Sequence, residues 1–207
     1  MTRFLLILML ASLGAAPASA QAPFEPNDSI VQAVVVEGGR DFVAVHETDN
    51  DEDYFQFFLA SRTQLDVSVV NTFVEGPECS SGREAWLKLT LPDGTAVGDI
   101  SPTINKSETL LKTLDFGRYI IQMDPGYACL GPTARYQFRV EPADALVTKD
   151  CYDANVAERR AIRNVGLARR AVSRARRSPS LRRRYRRILA QRRAALGRQQ
   201  DLVERAC

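Results

Sequence analysis

Histidine and tryptophan occur once each and cysteine four times in a chain of 207 residues. With His46 alone, a Ser-His-Asp arrangement has a single residue to be built around, and a two-histidine zinc site has no second ligand. No Gly-x-Ser-x-Gly elbow, His-Glu-x-x-His helix or phosphate-binding glycine loop is present. His46 stands beside Glu47 at a strand end and reads as a solvated surface residue rather than a general base. These absences argue against an enzyme. After residue 13 no apolar run is long enough to span a bilayer. Lysine, finally, is missing from the whole of 151–207.

What is present begins with an export pattern. Arg3 supplies a positive start, residues 4–13 an apolar run, and Ala18-Ser19-Ala20 a small-residue cleavage site, which together predict a signal peptide over 1–20. The mature chain is expected to begin near Gln21, without a transmembrane segment, in the periplasm or outside the cell. No cysteine follows the cleavage site directly, so no lipoprotein anchor is expected. In that oxidising setting the four cysteines read as bridges. Cys79 and Cys129 lie in Gly/Pro-rich loops of one region, while Cys151 and Cys207 bracket the other. Pairing Cys79 with Cys129 and Cys151 with Cys207 needs no contact between regions and is the expected arrangement. A structural zinc site is set aside for want of any Cys-x-x-Cys pair.

Two acidic stretches carry the most chemistry: Glu25-Pro26-Asn27-Asp28, and Asp49-Asn50-Asp51-Glu52-Asp53 running into Tyr54-Phe55-Gln56-Phe57. Clustered carboxylate and amide oxygens are the ligands of calcium. Glu25, Asn27, Asp28, Asp51 and Asp53 are therefore the candidate metal ligands, with calcium the ion they suit and a plainly solvated acidic turn the alternative. Asp51 and Asp53 as an acid–base pair is the weaker reading, since their neighbours are further acids.

Together with Gly117-Arg118-Tyr119, these elements resemble the pre-peptidase C-terminal domain over 24–142. That family opens with Glu-x-Asn-Asp, enters a core strand through Asp-x-Asp-Tyr-Phe-x-Phe and closes with a Gly-x-Tyr strand. This chain departs from it at Ala60-Ser61-Arg62, where the family has an Ala-Gly turn. The resemblance implies a secreted β-sandwich serving as an accessory module with a binding or stabilising role; it does not imply catalysis.

The pattern of the residues agrees with strands up to about residue 147. Segments 31–36 and 42–45 are rich in β-branched residues, 54–59 carries three phenylalanines, and 65–69 alternates with period two. Segment 86–91 ends at the turn Pro92-Asp93-Gly94, and 110–114, 119–123 and 136–140 complete the set. Many short strands with turns between them predict an antiparallel, jelly-roll-like β-sandwich over 21–147.

From 148 to 207 the pattern changes to helix. Ala and Arg dominate 152–177, with Asp150 or Asp153 as the expected cap, and Ser178-Pro179 reads as an N-cap followed by proline in the first turn of a second helix. Equal arms folded back at Ser178 bring Cys151 to Cys207, which predicts an antiparallel, disulfide-closed hairpin. Ala161, Val165, Ala168, Val172 and Ala175 form one expected seam, and Leu181, Tyr185, Ile188, Ala195 and Leu202 the other.

Charge divides the chain at the same place. Residues 21–150 carry twenty-one acids and ten bases, whereas 151–207 carry seventeen arginines and four acids, a net of +13. Arg182, Arg183, Arg186 and Arg187 are the candidate anion-binding residues, because guanidinium forks suit phosphate and carboxylate. The expected function is an exported binding module whose hairpin engages an anionic envelope surface or polymer. The alternative is an accessory or regulatory protein docking an acidic secreted partner such as a hydrolase. Nucleic acid fits by charge but is disfavoured by the export signal.

Overall fold

The computed structural model describes residues 24–46, 51–73, 85–103, 106–125 and 134–207. The predicted signal peptide, Asp49, Asn50, Cys79 and Cys129 lie outside the described residues.

Among the described residues nine strands form two sheets: β1 (Val34–Val35), β2 (Phe42–Val45), β3 (Asp53–Leu59), β4 (Thr63–Phe73), β5 (Trp86–Thr90), β6 (Ala96–Ile100), β7 (Ser107–Leu114), β8 (Gly117–Asp124) and β9 (Ala134–Glu141). One sheet has the order β1-β3-β8-β5-β6 and the other β2-β9-β4-β7. All strand pairs are antiparallel except β1 with β3. The alternation read in the sequence becomes a two-sided core. Phe55, Phe57 and Leu59 of β3, Leu87 and Leu89 of β5 and Ile121 of β8 meet Leu65, Val67 and Val69 of β4 and Tyr136 and Phe138 of β9. Phe42 and Phe138 stack at 5.2 Å, and Phe55 meets Phe138 edge-on at 4.7 Å, an arrangement that adds to area burial.

Two expectations about strands are corrected. The apolar run 31–36 yields only β1, because Ser29 to Gln32 closes a turn through Gln32 N–H to Ser29 O at 2.9 Å. Val31 is left 94% exposed there. Strand β6, which had not been expected, pairs with β5. A Cβ at its Gly98 would stand 2.8 Å from Lys112 Cε and 3.1 Å from a Leu110 methyl of β7, so those side chains would have to shift to admit one. The turn after β5 is as expected: Gly94 has φ 84°, and its N–H donates to Leu91 O at 2.9 Å.

Past a short 3-10 turn at Ala143–Ala145, the hairpin consists of α1 (Lys149–Arg174), a second 3-10 turn at Ala175–Arg177, and α2 (Pro179–Ala206). Helix α1 starts earlier than expected because Thr148, not Asp150 or Asp153, caps it: its hydroxyl accepts from Cys151 N–H at 3.2 Å. Ser178 caps α2 by accepting from Leu181 N–H at 3.5 Å. Cys151 and Cys207 form a disulfide, with the Asn155 amide 3.4 Å from the Cys207 sulfur.

The seam is thinner than its sequence stripe. Val165, Ala168 and Ala175 are buried, but no residue of α2 is. Leu181 and Leu202, expected within it, are exposed. The hairpin meets the sandwich at its base, where Tyr152 packs on Phe58 at 5.0 Å and Phe116 at 5.2 Å. There Arg159 lies 3.8 Å over the Phe116 ring and donates to Ala60 O at 3.3 Å.

Candidate functional site

The acidic stretches converge although β1 and β2 separate them in the chain. Asn27 N–H donates to Glu25 Oε2 at 3.1 Å, and Tyr54 N–H donates to Asn27 O at 2.9 Å, which fastens the 25–28 segment to the start of β3. Glu25, Asp28 and Asp51 each offer a carboxylate oxygen, all within 4.8 Å of one another. His46, Asp51 and Asp53 form a second such group, sharing Asp51.

Burial distinguishes this cluster from a solvated turn. Asn27 is fully buried and Asp53 is 1% exposed, yet both polar side-chain atoms of Asn27 and Asp53 Oδ1 lack a hydrogen-bond partner. Buried polar atoms without partners cost about 1–3 kcal/mol each. The other Asp53 oxygen accepts a hydrogen bond from the Tyr136 hydroxyl. Burial pushes Asp53 up to about 8; the Tyr136 hydrogen bond opposes the rise, while Asp51 and Glu25 add to it. Glu25 is raised as well, chiefly by burial, with contributions from Asp51 and Asp28.

His46 is the correction here. It is buried, not solvated. Its Nδ1 donates to Asp51 O at 2.8 Å, leaving Nε2 as an acceptor without a partner. Burial lowers its pKa, so the 3.5 Å approach of Nδ1 to Asp53 joins neutral groups at neutral pH. Neither His46 nor Tyr136 had been read as part of this cluster. Tyr136 lies 83 positions from Asp53, and no local pattern links them.

The donors fit a hard cation. The oxygens of Glu25, Asp28 and Asp51 are of the type calcium takes, although Asp28 is exposed; Asp53 groups with His46 and Asp51 instead.

The second candidate region is the hairpin. Among the described residues no hairpin arginine forms an ion pair. Near the bend Arg182 and Arg186 line a groove of about 440 Å³ with Arg169, Arg176, Val172 and Leu189. Arg182 also donates to Arg176 O across the bend, while its Nε has no partner. Arg183 and Arg187 are exposed and do not line this groove, so the four candidate arginines divide between two faces. Arg169 and Arg176 had not been singled out.

No family model matches the chain, and no curated protein matches it. Solved structures do resemble it distantly. The pre-peptidase C-terminal domain of a collagenase from Bacillus anthracis is 15% identical, with 53% of this chain and 94% of that one covered, at a TM-score of 0.40. A family 35 carbohydrate-binding module from an environmental isolate is 12% identical over 55% of this chain and 85% of that one, at 0.36. The carbohydrate-binding module CBM36 in complex with calcium and xylotriose is 15% identical over 51% and 91%, at 0.30. Likeness of this degree carries no argument about what this chain binds.

No described helix is long and apolar enough to cross a membrane.

Proposed function

We propose that this chain is an exported, non-catalytic binding module whose hairpin engages an anionic envelope surface or polymer in the periplasm or outside the cell. The observation that carries the reading is the unpaired state of the hairpin arginines: seventeen stand against four acids, and none is in an ion pair among the described residues. Guanidinium groups that so outnumber the carboxylates of their scaffold repel one another, and a polyanion relieves that repulsion while releasing its own counterions. The disulfide of the hairpin supports an oxidising location. The test is binding of the full chain to immobilised polyphosphate across a salt series. Steep weakening with salt is the expected result, and no retention at low salt overturns the reading.

The acidic cluster has a separate role in this proposal. Calcium held by Glu25, Asn27, Asp28, Asp51 and Asp53 ties the N-terminal segment to β3 and stabilises the sandwich by mass action. Millimolar calcium should raise the melting temperature, and Asp51→Ala should abolish the rise. A melting curve indifferent to calcium overturns this role without touching the hairpin.

The second reading, docking of an acidic secreted protein such as a hydrolase, draws on the apolar residues among the groove arginines. An apolar seam is less sensitive to salt than phosphate contacts. Shallow salt dependence with a protein partner therefore favours it.

A further inference from the structure

Charge is not spread evenly along the hairpin. Residues 167–189, which form the bend and the adjoining turns, contain ten arginines and no acid. All four acids of the hairpin, Asp153, Glu158, Asp201 and Glu204, lie toward its base. The base is also where α1 packs on the sandwich, at Tyr152 and Arg159. From Arg159 to the bend α1 runs about 27 Å at 1.5 Å per residue, so the basic end stands well clear of the sandwich.

That end carries apolar side chains among its arginines. On one side of the bend Leu167, Leu181 and Tyr185 share a groove of about 320 Å³ with Arg170 and Arg174. Leu167 is 52% exposed and Leu181 43%. The opposite groove repeats the combination with Val172 and Leu189 beside its four arginines. A fully hydrated polyanion would satisfy the guanidinium groups and leave the leucines in water. A bilayer interface offers phosphates at one depth and hydrocarbon just below, so it answers both.

We propose that the bend of the hairpin is a membrane-docking tip for anionic phospholipid, with Arg170 and Arg174 on headgroup phosphates and Leu167 and Leu181, which share their groove, seated in the acyl boundary. This rests on the anion-binding reading above and names its ligand class. The sandwich is thereby held at a distance from the bilayer by the length of the hairpin.

The test uses the full chain with three probes: vesicles of phosphatidylglycerol in phosphatidylcholine, vesicles of phosphatidylcholine alone, and soluble polyphosphate. Cosedimentation should detect binding to the anionic vesicles and not to the neutral ones. The paired substitution Leu167→Ser and Leu181→Ser should weaken anionic-vesicle binding about tenfold or more while leaving polyphosphate binding unchanged. Both side chains are exposed, and helical circular dichroism checks that the hairpin is retained. Leu202→Ser, an exposed position at the base, should leave vesicle binding unaltered.

Anionic-vesicle binding that ignores the tip leucines, or that falls equally with Leu202→Ser, overturns the docking tip. Polyphosphate binding without vesicle binding does the same and leaves the anion-binding reading standing. Binding to neither defeats that reading as well.

Discussion

The sandwich and the hairpin of this chain hold their shapes by different means. In the sandwich, rings and aliphatic side chains from both sheets bury one another completely, with Phe55, Phe57, Leu65, Leu87, Ile121 and Tyr136 all inaccessible to solvent. In the hairpin only Cys151, Val165, Ala168 and Ala175 are fully buried, and α2 has no fully buried residue. Alanines let helices approach but remove little apolar area from water. The hairpin therefore depends on its caps, helix propensity and the Cys151–Cys207 bridge, against the repulsion of its own arginines. A packed core suits a scaffold that positions the acidic cluster, whereas a thin seam leaves most hairpin side chains accessible.

The contrast can be broken from either side. Phe138→Ala removes a ring at the centre of the sandwich and should cost about 3–5 kcal/mol. Near-ultraviolet dichroism should report the loss at a temperature where the helical signal persists; a single coincident transition would show the two regions to be one cooperative unit. Replacing Cys151 and Cys207 together by Ser opens a loop worth about 4 kcal/mol in the chain-entropy model. Here the helical signal should melt early and the sandwich transition stay in place.

A third prediction concerns pH and belongs to the sandwich alone. Asp53 is pushed up to about 8 from an ordinary value of 3.8, so without metal the folded chain keeps a proton that the unfolded chain releases. Stability from this group is full below about pH 4 and is lost progressively as pH rises toward 8. Calcium favours the carboxylate and should flatten that decline. Melting temperatures across pH 4–8, with calcium and with chelator, check it; parallel curves would contradict a role for Asp53 as ligand. The smallest effect is expected at the cap of α2, where Ser178→Ala should lower helical stability by about 1 kcal/mol and leave the sandwich unmoved.

Local patterns made much of this legible. Phe55-Gln56-Phe57 alternates because one face of β3 is core, Asp93-Gly94 turns because glycine accepts positive φ, and Ser178-Pro179 starts α2 as its chemistry requires. What escaped depends on distant neighbours. The run 31–36 looks like strand throughout, yet Ser29 and Gln32 close a turn at its start. Strand β6 carries Gly98 and little alternation, and is defined by its pairing with β5 and the approach of β7. The acidic residues of the candidate site could be listed from their motifs, but His46 and Tyr136 join them only through folding. In the hairpin, helical spacing put Leu181 and Leu202 in the seam, whereas both stand exposed in the folded hairpin. Spacing assigns a face and not the depth to which it is buried.

The central claim is that the hairpin is a charged arm whose arginines are kept free for an anionic partner. Its most direct test is the salt dependence of polyphosphate binding by the full chain and by a variant with Arg182, Arg183, Arg186 and Arg187 all replaced by Gln. At roughly 0.7–0.9 per neutralised phosphate, the slope of log affinity against log salt should fall by about 3 in the variant, with helical dichroism unchanged. An identical slope in the two proteins would contradict the account.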